Sequence, residues 1–124
     1  MNDKIFQEVF NLLEDFLPQD WKKTILFAGY TNGSYSIKYY CLTENGTVID
    51  CYNLSGVSSS DLIKLFVDID KILYKERALL DDKNRWSVLT MIVNNDGTMK
   101  AEFNYDDHSE DMLAYEKEWK KKYL

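Results

Sequence analysis

Three glycine turns, Asn32-Gly33, Asn45-Gly46 and Asp96-Gly97, are what most restricts the fold open to this chain. Each lies between runs rich in β-branched and aromatic residues, and Asn-Gly or Asp-Gly supplies backbone that accepts the positive φ of a tight hairpin. The first two separate runs over residues 24–30, 35–42 and 47–53, which predicts a three-stranded antiparallel meander. The third, in Asn94-Asn95-Asp96-Gly97, joins runs over 86–93 and 98–105 into a second hairpin. In that last run Met99, Ala101, Phe103 and Tyr105 alternate with Lys100, Glu102 and Asn104, so one face of the strand is expected to be wet.

Helical periodicity fills the intervals. Residues 4–17 place Ile5, Phe6, Val9, Phe10, Leu12, Leu13, Phe16 and Leu17 at helical spacing, and Pro18 blocks continuation. Residues 61–80 carry a stripe of Leu62, Leu65, Phe66, Ile69, Ile72, Leu73 and Leu80, with Ser59 or Ser60 as the expected N-cap. A last helix over 109–123 turns Met112, Tyr115, Trp119 and Tyr123 inward, with Asp107 or Ser109 as its expected cap. The order α-β-β-β-α-β-β-α contains no βαβ repeat. It predicts an α+β fold with one antiparallel sheet of about five strands and the helices packed on one side.

A chain of 124 residues with 45% hydrophobic side chains has the size and core material of one domain, here taken as 1–124. Acidic residues interrupt the N-terminal apolar stretch, unlike a signal or transit peptide, and no apolar run reaches the ~20 residues of a membrane span. The expectation is a cytoplasmic protein with no membrane partner, and in that reducing setting Cys41 and Cys51 read as buried thiols. The formal charge of −6 opposes direct nucleic-acid binding, which needs cations to displace phosphate counterions. It suits a basic partner.

Signatures of catalysis are missing: there is no phosphate-binding glycine loop, no nucleophile elbow, no zinc-protease motif and no Cys/His cluster. The single histidine, His108, stands among Asp106, Asp107 and Ser109, which reads as a solvated turn with capping aspartates. No enzyme activity, metal or cofactor is expected. Between residues 101 and 111, however, stand Glu102, Asp106, Asp107, Glu110 and Asp111, with no Lys or Arg among them. Asp68 and Asp70 add to the acidic balance on the central helix. Either this is ordinary solvated surface, or its potential steers a positively charged protein into place. Tyr40, Tyr52 and Tyr74 are candidate aromatic anchors for such a partner, and self-pairing into a homodimer is compatible with the sequence.

The stretch Phe103-Asn104-Tyr105-Asp106, then Tyr115-Glu116, then Trp119-Lys120-Lys121-Lys122-Tyr123-Leu124 resembles the ending of the YezG-type immunity proteins. Pro18, Trp21 and Lys23 are similar to that family's entry into its first strand, so the resemblance spans almost the whole chain. It implies a cytoplasmic antitoxin that binds the nuclease domain of a secreted polymorphic toxin. The acids at 102, 106, 107, 110, 111, 68 and 70, with Tyr74, would then form the toxin-binding surface. The alternative is a regulatory module of the SUKH or a similar α+β type with a non-nuclease partner.

Overall fold

A computed structural model describes residues 3–124. The elements run α1 (Asp3–Leu13), a 3-10 turn (Glu14–Phe16), β1 (Trp21–Thr31), β2 (Ser34–Thr43), β3 (Val48–Asp50), a second 3-10 turn (Cys51–Asn53), α2 (Ser59–Ala78), β4 (Val88–Asn94), β5 (Met99–Asn104) and α3 (Met112–Tyr123). The five strands form one antiparallel sheet in the order β3-β2-β1-β4-β5. Class, strand number and element order are those the sequence predicts.

The turns work differently in detail. In these turns positive φ falls on the glycine, +79° at Gly33, +87° at Gly46 and +91° at Gly97, while the preceding Asn or Asp stays at negative φ. In two of the turns that preceding side chain has another role. Asn45 Oδ1 accepts from Thr47 N–H and Thr43 Oγ1, and Asp96 Oδ1 accepts from Thr98 N–H and Thr98 Oγ1. The same short-range bond thus closes both loops.

Helix α2 begins one residue before the expected caps. Ser58 Oγ accepts from Asp61 N–H and Asp61 Oδ2 accepts from Ser58 N–H, a reciprocal box that neither Ser59 nor Ser60 can form with a carboxylate three residues on. Its C-terminal end is closed from outside the helix by Arg85, whose guanidinium donates to the carbonyls of Arg77 and Leu80.

Helices α1 and α2 cover one face of the sheet. Val9 and Leu13 meet Leu62, Leu65, Ile69 and Leu73 over Leu26, Ala28, Tyr39, Leu89 and Met91. The expectation that every helix packs on that side fails for α3. Its Trp119 lies in a second cluster with Ile25, Phe27, Tyr40 and Val88, on the opposite face. The physical reason is in β1: Ile25 and Phe27 alternate with Leu26 and Ala28, all are buried, and a strand apolar on both faces needs cover on both. Trp119 is held edge-on to Phe27 at 5.1 Å and beside Tyr40 at 5.7 Å, and its Nε1 donates to Thr90 Oγ1 at 2.8 Å. Gly29 leaves room for Met112 at the start of α3, since a Cβ there would lie 3.1 Å from Met112 Cε.

Tyr40 is therefore buried beneath α3 and cannot serve as an exposed anchor. Cys41 and Cys51 are free and buried, as the sequence suggests. Burial pushes their thiols up to about 11 and about 12, so neither is a thiolate at neutral pH. Two outcomes are expected. Trp119→Ala destabilises the fold by about 3–5 kcal/mol in urea unfolding, the usual cost of deleting a buried aromatic. A thiol reagent at pH 8 modifies neither cysteine in the folded protein and both once it is denatured.

Candidate acidic docking site

The segment 105–111 joins β5 to α3, and its shape is set by hydrogen bonds from its own side chains. Asn104 Oδ1 accepts from Asp106 N–H at 3.0 Å, and His108 Nε2 lies 2.9 Å from that same oxygen. His108 Nδ1 lies 3.0 Å from Asp111 Oδ1, an ion pair whenever the ring carries its second proton. The ring is only 6% exposed and packs on Tyr115 with centroids 4.0 Å apart. His108 thus ties the end of β5 to the first turns of α3. A ring so engaged faces away from solvent, and offers no nitrogen to a substrate.

Asp107 closes the outer half of the segment. Its Oδ1 accepts from Ser109 Oγ at 2.6 Å and Ser109 N–H at 2.9 Å, and Ser109 Oγ accepts in turn from Asn32 N–H at the β1–β2 turn. The Ser109 hydroxyl and amide, with His108 nearby, hold the Asp107 carboxyl below the usual carboxylate range. It stays charged. Neither Asp107 nor Ser109 caps α3 as expected: the N-cap position is Asp111, whose carboxylate is turned to His108.

Four of the predicted acids, Asp106, Asp107, Glu110 and Asp111, are thereby brought together, exposed, on one braced loop. The others are placed elsewhere. Glu102 is half-buried on β5, where it accepts from the Tyr123 hydroxyl and pairs with Lys100 at 3.1 Å, which together lower its pKa. It latches the end of α3. Asp68 lies beside α1 and is paired with Lys64 at 2.7 Å and Lys71 at 3.9 Å, the Lys64 bond lowering its pKa most. Asp70 accepts from the Tyr30 hydroxyl at 2.7 Å, and burial together with this carboxylate pushes that phenol far up. Tyr74 and Tyr52 are well exposed, but on α2 and the second 3-10 turn.

Beside the acidic loop is a cleft of about 180 Å³ lined by Asn32, Arg77, Asp82, Arg85, Tyr105, Asp106 and Asp107, among others. Sequence reading missed its two arginines. Arg77 stacks 4.4 Å from the Tyr30 ring and 5.3 Å from the Trp86 ring while its Nε donates to Trp86 O at 2.9 Å. Arg85 pairs with Asp82 at 2.8 Å. Both are thus engaged with the framework, which leaves Asp106, Asp107 and Glu110 without an ion pair among the described residues. Also among the described residues, no group of three or more His, Cys, Asp or Glu is placed to hold a metal ion, and no helix is long and apolar enough to cross a membrane.

The family described as "Immunity protein YezG-like" matches residues 2–124. Immunity protein YezG of Bacillus subtilis (strain 168) is 26% identical over 109 residues, an alignment covering 83% of this chain and 72% of the relative.

If His108 is what holds the loop, His108→Ala removes its polar contacts with Asn104 and Asp111 and the ring contact with Tyr115, at a cost of roughly 1–3 kcal/mol. Amide exchange at residues 105–111 should accelerate while β1 and β4 stay protected. Unchanged exchange in that segment would mean another contact fixes it.

Proposed function

The chain belongs to the YezG-like immunity protein family, and from that premise we propose that it is a cytoplasmic antitoxin that binds and neutralises the nuclease domain of a secreted polymorphic toxin. The observation that carries the mechanism is the loop at 105–111: Asp106, Asp107 and Glu110 point into solvent from a segment braced on both sides by the sheet and α3. A nuclease active cleft must hold phosphates and is therefore basic. Carboxylates carried on a braced backbone, with that of Asp107 held by Ser109, meet such a cleft without the entropy loss of ordering a mobile loop, and occupy the space of the nucleic-acid backbone. Tyr105, 59% exposed beside Asp106, supplies a flat apolar surface of the kind that anchors interfaces.

The protein acts by binding. Its histidine is buried and engaged, and its thiols are held protonated. The net charge of −6 opposes contact with nucleic acid itself. The match over residues 2–124 favours this reading over a SUKH-like regulatory module.

Asp106→Lys combined with Asp107→Lys tests the assignment. The pair should weaken capture of the toxin domain by at least about 100-fold, close to 3 kcal/mol, and abolish protection of cells expressing the toxin at low antitoxin levels. Lys substitutions at Asp68 and Glu102, which already have partners, should have a much smaller effect on binding. Full protection by the double variant would remove the loop from the interface.

A further inference from the structure

Strand β2 is longer than its outer neighbour. β3 pairs only with residues 40–42 of β2, so the part of β2 before Tyr39 has no strand on its outer side. The direction of its free groups follows from the register. Tyr30 N–H donates to Ser87 O, on the β4 side of β1, so the opposed pair Tyr30 and Tyr35 exchanges no bonds. Along an antiparallel ladder the pairs alternate, and Tyr35, Ile37 and Tyr39 therefore direct their backbone groups outward. Tyr39 N–H is taken by the Cys51 sulfur. Among the described residues, the N–H and C=O of Tyr35 and Ile37 remain as an open edge.

An unpaired edge is normally blunted by charge, proline or a covering element. This one is bordered by apolar side chains instead. Tyr35, Tyr52, Ile63 and Val67, exposed at 41, 56, 67 and 39%, line a groove between β2 and α2. Its lining holds no acid, and its one charged residue, Lys38, is paired with Glu116.

We propose that this edge and the groove beside it form a self-association surface, on which a second copy pairs its own β2 antiparallel about a two-fold axis at Ser36. The free segment is its own register partner. With Ser36 opposite Ser36 of the other copy, Tyr35 faces Ile37 and Ile37 faces Tyr35. These are the residues whose groups point outward, so four N–H···O bonds form and the two sheets become one. The charge pattern selects the occupant. The carboxylates nearest this edge are already engaged, Glu116 by Ser36 and Lys38 and Asp70 by the Tyr30 hydroxyl, so the free charge that would draw a basic toxin lies on the 105–111 loop and not here. In this register Lys38 lies across from Ser34 rather than from another lysine. This inference is independent of the toxin-binding reading.

Sedimentation velocity of the full chain over a concentration series tests it, with a reversible monomer–dimer equilibrium expected. Tyr35→Pro removes an outward donor and no bond to β1, and Ile63→Lys sets a charge in the groove on an exposed helix position. Each should weaken the dimer at least about tenfold with an unchanged far-ultraviolet spectrum, whereas Leu113→Lys, exposed on α3, should not. If Tyr35→Pro fails to fold, Ile63→Lys decides alone. A chain that stays monomeric throughout, or a dimer indifferent to Ile63→Lys, overturns the proposal. So does a monomer whose Ile63→Lys variant loses toxin capture, which assigns the edge to the toxin instead.

Discussion

The indole of Trp119, packed edge-on against Phe27 and beside Tyr40 with its Nε1 bonded to Thr90, is the contact on which the rest of the arrangement depends. It converts the second face of the sheet from exposed apolar surface into core, and it fixes where α3 lies. The loop from β5 must then span a set distance to reach the start of α3. Within that span His108 finds Asn104 behind it, Asp111 ahead and Tyr115 beneath, and the acids between are left pointing outward. Surface charge is thereby organised by burial on the far side of the same helix.

Much of the fold was legible because local and global signals agreed. The glycine turns, the long stripe of α2 and the alternation in β5 each specify one element, and each element formed. The placement of α3 was missed although a signal existed. Residues 25–30 run Ile, Leu, Phe, Ala, Gly, Tyr with no polar alternation, which is the pattern of a strand covered on both faces. Reading the helices as one layer overlooked the demand that run makes. The caps were displaced for a different reason: Ser58, Ser59 and Ser60 are equivalent by propensity, and only the carboxylate of Asp61 distinguishes among them.

The site was legible as a run of charge and not as a geometry. Asp106, Asp107, Glu110 and Asp111 are near in sequence and therefore near in space. Glu102 belongs to the same run but points to the α3 side of β5, where Tyr123 and Lys100 neutralise its effect, and that depends on how the C-terminal helix docks. Asp68 could have been discounted from sequence, since Lys64 and Lys71 stand four before and three after it on one helix. Arg77 and Arg85 could not have been placed, because their partners are rings and carbonyls brought together by the turn after α2.

At the centre stands the proposed capture of a basic toxin domain by the unpaired carboxylates that the braced β5–α3 loop carries. Fields of this kind act on the rate of encounter and are screened by salt, while contacts made after docking set the rate of release. The direct test is the association rate constant with the cognate toxin domain, measured by stopped flow over a range of ionic strength. The rate should fall steeply as salt is raised, by about tenfold or more, with little change in dissociation. An association rate insensitive to salt would contradict it.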